Sequence, residues 1–412
     1  MGQAAHLSVD QPRMALLDGA FYADDPQRAY AWMRDQGPVW FDDSSGAWGV
    51  AGYAAVVAAS TKPALFSSAG GARPATGPMP FMIDMDDPAH GQRRRLVSRG
   101  FTPRQVAARA PRIRQICDAL IDRVCDRGEC DLVHELAAPL PLIVIGDLLG
   151  ARPEDRADLL RWSDAMVASQ SATTEDVTAA AGRAFGEYYD YARRVISERR
   201  EHPTDDLIGV LAGAEIDGQQ LGENELAYEL LLLRVGGDET TRHVIAGGME
   251  QLLRRPDLRD RLSAEPGLLP GAVEEMLRWV SPVKTMARTV TSDLEFFGAP
   301  LRAGQQVILL YEAANFDDTH FPDPHRFDIS RSPNDHLAFG VGSHFCLGAS
   351  LARLEIRILV EQLLARLPDI QLSDGAVLPR RPNSFASGVE HVPVRFTPAR
   401  ALGVPLDAEP AR

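Results

Sequence analysis

A cysteine enclosed by glycines constrains the fold of this chain more than any other feature of its sequence. Residues 339–348 read FGVGSHFCLG, with Cys346 close to the end. Glycine adopts positive φ angles at no steric cost, so this segment can turn tightly around one side chain. Apolar residues recur at helical spacing from about 347 to 367, which predicts a helix directly after the cysteine. Cys346 is thus predicted to lie in a tight turn at the positively polarised end of a helix.

This environment is typical of a cysteine that functions as a thiolate. Backbone N–H donors and the helix dipole stabilise the anion, and an aromatic ring such as that of Phe339 limits its contact with water. A thiolate is also the electron-donating axial ligand with which a haem iron cleaves the O–O bond. The alternative is a glycine-rich loop that holds an ordinary buried cysteine. Because a chance match at six such positions is expected in about one of 10⁵ chains, the sequence favours a haem-iron ligand.

The composition excludes several functional classes. The chain has 43 Lys and Arg residues against 57 Asp and Glu residues and a formal net charge of −14, which disfavours nucleic-acid binding. The N-terminal residues lack the apolar core of a signal peptide, and no apolar run is long enough to predict a membrane span. We therefore expect a cytoplasmic monomer. Cys117, Cys125 and Cys130 lack the spacing of a zinc site and are predicted to be reduced thiols.

The hydrophobic periodicity predicts a mainly α-helical fold with smaller β-sheets (α+β), formed by a single domain over residues 1–412. Helical patterns cover 25–36, 106–124, 159–166, 185–196 and 225–253, and extended segments cover 39–41, 47–50, 288–290, 294–296 and 306–310. Residues 67–84 are rich in glycine, proline and methionine and are predicted to form a long functional loop. Residues 1–20 and 398–412 are predicted to be flexible ends.

The cysteine segment resembles the cysteine-ligand motif of the cytochrome P450 superfamily of haem-thiolate monooxygenases, and the resemblance extends over nearly the whole chain. It implies the cytochrome P450 fold, in which haem b lies between the long central helix and the helix after the cysteine loop. It also implies that Cys346 binds the iron and that Phe339 and Gly348 contribute to the cofactor site. Four side chains match the family's contacts to the haem propionates: His90, Arg94, Arg288 and His344. For the first two, ordinary pairing at the surface is the alternative.

The long helix carries a second motif that resembles the family, GGDETT at 236–241. By resemblance, Gly236 leaves room for O₂, while Glu239 and Thr240 deliver the protons that O–O cleavage consumes in a dry site. On these residues alone, a threonine bonded within its own helix and a solvated glutamate are equally compatible with the sequence. Arg234 interrupts the apolar run before the motif. Helical geometry predicts that it points away from the haem and pairs with Asp238.

A third motif, Glu275-x-x-Arg278, has a structural role in the family. A glutamate and an arginine three residues apart share one face of a helix. The resemblance implies that Arg326, within a proline- and aspartate-rich meander at 315–333, joins this pair behind the cysteine loop. Alone, the pair is a weak signal, because many surface helices contain Glu-x-x-Arg.

The candidate substrate pocket is apolar, which suits a large hydrophobic, sterol-like ligand. Its predicted lining residues are Met79, Phe81, Met82, Ile83, Leu232, Val235, Val283, Met286 and Phe385. Residues of these types are more often part of a hydrophobic core. Several stretches, among them GARPATGPMPFMIDMDDPAH and HLAFGVGSHFCLGASLARLE, resemble bacterial steroid C26/C27-monooxygenases. This resemblance implies terminal hydroxylation and further oxidation of the side chain of cholesterol or cholest-4-en-3-one.

The resemblance also implies that electrons come from NAD(P)H through an NAD(P)H ferredoxin reductase and a ferredoxin, which are separate proteins. A basic face would suit an acidic ferredoxin, although a solvated charged face is the alternative; its arginines are Arg93, Arg94, Arg95, Arg99, Arg104, Arg353 and Arg357. Other functions compatible with the class are a P450 hydroxylase of another lipid, terpenoid or polyketide, a peroxide-driven hydroxylase, and a non-catalytic haem gas sensor. Retention of Glu239 and Thr240 argues against the last two.

Overall fold

Helices form most of the regular structure. A computed structural model describes residues 12–74, 76–169, 174–216 and 218–406. Its α-helices are α1 (Gly19–Ala23), α2 (Gln27–Gln36), α3 (Tyr53–Thr61), α4 (Ala89–Val97), α5 (Pro103–Ala108), α6 (Ala110–Asp122), α7 (Pro139–Leu149), α8 (Arg156–Ala168), α9 (Glu175–Glu201), α10 (Leu207–Ala212), α11 (Glu223–Leu253), α12 (Pro256–Ala264), α13 (Leu269–Val280), α14 (Tyr311–Asn315) and α15 (Ala349–Arg366). The predicted mainly α-helical class is confirmed.

Small sheets lie beside the helices. The strands are β1 (Val39–Asp42), β2 (Ala47–Val50), β3 (Phe66–Ser67), β4 (Glu129–Asp131), β5 (Glu215–Ile216), β6 (Gln219–Gln220), β7 (Thr285–Val290), β8 (Leu294–Phe296), β9 (Ala299–Leu301), β10 (Gln306–Leu310), β11 (Gln371–Leu372) and β12 (Pro393–Arg395). The largest sheet has the order β1-β2-β10-β7-β3. In it β10 runs parallel to β2 and antiparallel to β7, with Val307 opposite Arg288. This pairing fixes Arg288 on a strand rather than on a mobile loop.

The long helix α11 lies at the centre of the fold and packs against α7, α9, α13 and α15. Its side chains are buried on nearly all sides from Leu226 onward, as expected for a helix inside a core. A Cβ at Gly248 would lie 2.3 Å from the methyl carbon of Met276 in α13, so the two helices approach more closely than a larger residue would allow. Despite its length, α11 is not apolar enough to cross a membrane, and no other described helix is either.

Several predicted boundaries need correction. The helical pattern over 106–124 divides at Arg109, because a proline occupies the first turn of α6. Residues 12–20 are not a flexible end, since the Leu16 N–H donates to Asp42 Oδ2 at 2.9 Å. Residues 398–406 are held as well, because the carboxylate of Asp122 accepts from the N–H groups of Leu402, Gly403 and Val404. The remaining predicted ends, 1–11 and 407–412, lie outside the described residues.

The fully buried carboxylate of Glu275 in α13 holds the meander that follows α14. Arg278 donates to it through Nε and Nη2, each at 2.8 Å. A second guanidinium comes from Arg331, whose Nε lies 3.1 Å from Oε2. The prediction that Arg326 fills this place is wrong. Its side chain is exposed beside the buried Phe327, and only its carbonyl takes part, by accepting from Arg331 at 2.9 Å.

Replacing Arg331 with alanine should destabilise the fold, because Glu275 would keep only one of its two guanidinium partners. We expect the free energy of unfolding to fall by about 3 kcal/mol, as for other buried ion pairs that lose a partner. Arg326→Ala, at an exposed position, should change it by less than about 0.5 kcal/mol. Urea unfolding followed by circular dichroism measures both values, and equal destabilisation by the two variants would contradict this assignment.

Candidate active site

One large cavity of about 580 Å³ lies between α11, the start of α15, β7 and the loop before α4. Except for Glu275, Arg278 and Arg326, which were predicted to have a structural role, every site residue predicted from the sequence borders it. These are Glu239, Thr240, His90, Arg94, Gly236, Arg288, Phe339, His344, Cys346 and Gly348, together with the apolar set Met79, Phe81, Met82, Ile83, Leu232, Val235, Val283, Met286 and Phe385. Phe81 and Met82 are also nearly fully buried, so they belong to the core and to the cavity wall at once.

The Cys346 loop turns as the glycines predict. Gly340 and Gly342 adopt φ angles of 66° and 84°, which side chains disfavour. The turn closes where the Cys346 N–H donates to the Phe339 carbonyl at 2.8 Å. Arg94 of α4 reaches across and donates to the Phe345 carbonyl at 2.5 Å. The sulfur is therefore held at the cavity wall by backbone geometry.

The electrostatics at this sulfur have opposing parts. Burial is the largest effect and raises the pKa of the Cys346 thiol above its ordinary value. The N–H groups of Gly348 and Ala349 and the charges of Arg94 and Arg353 act in the opposite direction and lower that pKa. The Arg353 guanidinium also lies 4.6 Å from the centre of the Phe339 ring, on the same loop. These N–H groups and charges would stabilise the Cys346 thiolate when a metal cation binds the sulfur.

Arg94 and Arg288 face the cavity without an acidic partner. Among the described residues, neither Arg94 nor Arg288 has a carboxylate within ion-pair distance, and Arg288 donates to the neighbouring Ala287 carbonyl at 2.7 Å. His90 and His344 stack beside them with ring centres 4.1 Å apart. Burial, followed by the charge of Arg288, lowers the pKa of His344 to about 3, so this ring is neutral. The group presents two cations and two neutral N–H donors to an anionic ligand.

The two glycines of the α11 motif have different surroundings. A Cβ built at Gly236 would meet no atom within 4 Å, so the helix backbone borders open space there. The same holds at Gly348 below the cysteine loop. At Gly237 a Cβ would lie only 2.9 Å from Ile145 of α7, which shows that this glycine serves helix packing. A planar group carrying two carboxylates, such as haem, fits open space between Gly236 and Gly348 with unpaired arginines beside it.

The structure answers the question that the sequence leaves open for Glu239 and Thr240. Thr240 Oγ1 donates to the Gly236 carbonyl at 2.8 Å, so its hydroxyl does bond within its own helix. Glu239, by contrast, is not solvated: it is 1% exposed and pairs with Arg242 and with Arg381, the latter at 3.1 Å. Burial raises the pKa of Glu239 to about 7, although Arg242 lowers it. A buried acid that titrates near neutral pH is suited to proton transfer.

Sequence reasoning missed the partners of Glu239. Arg242 could have been found from its i,i+3 spacing, but Arg381 comes from a loop near the C-terminus with no recognisable motif. Asp164 of α8 accepts from Arg242 at 2.8 Å and is 43% exposed, so the cluster extends to the surface. Arg73, described below, was missed as well. The prediction for Arg234 is confirmed: it does not border the cavity and pairs with Asp238 at 3.4 Å, where both side chains are buried.

Several curated relatives of this chain are named for the oxidation of steroids or other lipids. The chain is 52% identical to the Steroid C26-monooxygenase of Mycobacterium tuberculosis over 96% of this chain and 100% of the relative. It is 51% identical to the Steroid C26-monooxygenase of Mycolicibacterium smegmatis over 95% of this chain and 98% of the relative. The Methyl-branched lipid omega-hydroxylase of Mycobacterium bovis is 38% identical over 91% of this chain and 92% of the relative.

Solved structures and a family sequence model match this chain to cytochromes P450. CYP109E1 from Bacillus megaterium, crystallised with testosterone, matches with a TM-score of 0.85 and 34% identity, covering 91% of this chain and 98% of that chain. P450BioI in complex with an acyl carrier protein matches with a TM-score of 0.85 and 30% identity over 92% and 99%. The sequence model named Cytochrome P450 matches residues 178–386. The chain therefore belongs to the cytochrome P450 family, as the resemblance of its Cys346 loop implies.

Proposed function

We propose that this chain is a single-domain haem-thiolate monooxygenase that inserts one oxygen atom of O₂ into a terminal methyl group (C26/C27) of a steroid side chain and oxidises that carbon further. The observation that carries the proposal is the cavity that Cys346 borders together with Glu239 and Thr240. Identity to the steroid C26-monooxygenases of two mycobacteria supports cholesterol and cholest-4-en-3-one as substrates.

Haem b, when bound, supplies the redox chemistry that activates O₂. In this proposal the Cys346 sulfur is the iron ligand, and the backbone N–H groups that follow it favour its thiolate form. The guanidinium groups of Arg94 and Arg288 would pair with the haem carboxylates, because no described acid competes for them. His90 and His344 add N–H donors from neutral rings, which keeps the positive charge of the site on the arginines.

Proton delivery is assigned to Glu239 and Thr240. With a pKa of about 7, the Glu239 carboxyl can take up and release a proton near neutral pH. Arg242 and Arg381 hold this carboxyl in a cluster that ends at the partly exposed Asp164, where water has access. Rotation of Glu239 away from the arginines would bring the proton toward the Thr240 hydroxyl, which would then release the helix carbonyl that it now contacts.

The cavity walls support a hydrophobic substrate that is presented end-on. Secondary and tertiary C–H bonds of a steroid are weaker than those of a terminal methyl group, so the site must select by position rather than by reactivity. Phe81 from the loop before α4, Val235 from α11 and Phe385 from the C-terminal loop border the cavity from different directions. Rigid walls on several sides are what such positional selection needs.

We also propose that NAD(P)H supplies the electrons through a separate ferredoxin reductase and ferredoxin, which would place the enzyme in the cytoplasm. The arginines near the cysteine loop that are exposed and could contact an acidic ferredoxin are Arg95, Arg99, Arg104 and Arg357. Arg93 is not part of this face, because it is buried and pairs with Glu225 and Glu229. Large apolar side chains exposed among the described residues are scattered, which supports a monomer.

Replacing Cys346 with serine should abolish the thiolate spectrum, because the hydroxyl is a much weaker electron donor to iron. We expect the red-shifted Soret band of the reduced CO complex to disappear. Cys130→Ser, at a thiol remote from the cavity lining, should leave the band unchanged. Persistence of the band in the Cys346 variant would contradict the ligand assignment.

Titration of the ferric enzyme with cholest-4-en-3-one should shift the haem spectrum from low spin to high spin. The physical reason is that a substrate filling the cavity displaces water from the haem. A fatty acid and a polyketide serve as comparison ligands. A spin shift with either of these and none with steroids would overturn the proposed substrate class but not the enzyme class.

Thr240→Ala should uncouple electron consumption from hydroxylation, because proton delivery loses its last hydroxyl. We expect product formed per NAD(P)H to fall about tenfold while NAD(P)H consumption continues. Thr240→Ser keeps the hydroxyl and should retain most of the coupling. Equal coupling in the alanine variant and the wild type would exclude Thr240 from the proton path.

A further inference from the structure

Arg73 introduces a positive charge into a cavity whose lining is otherwise mainly apolar. It lies at the start of the loop before α4 and borders the same cavity as Cys346. Its backbone position is fixed by its neighbour, since the Ala72 carbonyl accepts from the Ala287 N–H of β7 at 2.7 Å. The side chain is partly buried, and its contacts are with residues of the cavity wall.

The contacts of this guanidinium are aromatic and sulfur groups. Its central carbon lies 5.1 Å from the ring centre of Phe81 and 6.0 Å from that of Phe385. Its Nη2 lies 3.1 Å from the sulfur of Met79, a weak acceptor. These three partners are all walls of the proposed substrate pocket. Arg73 therefore contacts the apolar wall of the proposed substrate pocket.

The charge has no acidic partner among the described residues. Asp84 is the acid that acts on Arg73 through space, but its two oxygens accept from the backbone N–H groups of Ala72 and Met79, each at 2.9 Å. Burial lowers the pKa of Arg73, which reflects the cost of holding a charge there. A buried cation without a carboxylate is unfavourable unless a ligand supplies an acceptor. A pocket for a pure hydrocarbon would not need such a group.

We propose that Arg73 is a specificity-determining residue that donates hydrogen bonds to the oxygen on the steroid ring system, the 3-oxo or 3-hydroxyl group. This rests on the proposed function, because the side chain to be oxidised carries no oxygen and the only acceptor of such a substrate lies at its opposite end. One polar contact at that end fixes which end of the molecule approaches Cys346. The aromatic rings of Phe81 and Phe385 hold the guanidinium plane while leaving its N–H groups available.

The test removes the proposed hydrogen bond in two ways, by deleting the 3-oxygen of the steroid and by replacing the guanidinium of Arg73. Spin-shift titrations compare cholest-4-en-3-one, its 3-hydroxy counterpart and the same skeleton without the 3-oxygen, in the wild type and in Arg73→Met. We expect the wild type to bind both oxygenated steroids at least about tenfold more tightly than the hydrocarbon, as for a hydrogen bond to a charged donor. Arg73→Met should lose this preference while binding the hydrocarbon as well as the wild type does. Arg73→Lys should keep part of it.

Two further measurements separate this role from a merely structural one. Haem content and the thiolate CO spectrum should be unchanged in Arg73→Met, and its products should include steroids oxidised away from the terminal methyl group. Arg302→Met, at an arginine whose side chain is 65% exposed, is the matched control and should bind all three ligands as the wild type does.

The remaining results of these titrations would overturn either the role of Arg73 or the proposed substrate class. If Arg73→Met weakens all three ligands equally, the residue only packs, and if it loses haem, it serves the cofactor; both results overturn the proposal. If the wild type gives no spin shift with any steroid but still binds imidazole at its haem, the proposed substrate class fails first. If the wild type binds the ketone and the hydrocarbon equally, the substrate class stands and the role of Arg73 fails alone.

Discussion

The buried carboxylate of Glu275 is the interaction on which the cysteine site depends, because it begins a continuous path of contacts to the sulfur. It holds Arg278, whose Nη1 donates to the Asn315 carbonyl at 2.8 Å. The side chain of Asn315 in turn accepts from the Leu337 N–H at 2.7 Å. From Leu337 the backbone turns through glycines to Cys346. The buried pair of Glu275 and Arg278 thus helps to fix the position of the Cys346 sulfur, although it does not border the cavity.

The arginines and the acids near the cavity differ in whether they have partners of opposite charge. The arginines that border it, Arg73, Arg94 and Arg288, have no described carboxylate within ion-pair distance. The acids of the α11 motif behave in the opposite way, since Asp238 and Glu239 are both buried against arginines. An overall acidic protein therefore keeps a cavity with unpaired positive charge, which suits a cofactor with two carboxylates and a substrate with one oxygen acceptor.

What the sequence predicts well here is local, and what it misses depends on how distant segments meet. Cys346 follows from a short motif whose geometry is set by its own residues, whereas the places of Gly236 and the apolar wall follow from the family resemblance. The choice between Arg326 and Arg331 could not be made, because both lie in one meander and only its folded course shows which side chain turns inward. Arg73 could not be singled out within its loop for the same reason, since one of its contacts is Phe385, far away in the chain.

The two adjacent glycines of α11, Gly236 and Gly237, differ in what a substitution would disturb. Gly237 is pressed against Ile145, so any side chain there would force apart two helices of the core. Gly236 borders the cavity, and a methyl group there would meet no other protein atom within 4 Å but would enter the space that the proposal assigns to haem and O₂. Variation at 237 is therefore limited by foldability, whereas variation at 236 is limited only by the reaction. A side chain added at 237 would be detected first as lost stability, whereas one added at 236 would be detected first as altered haem binding or turnover.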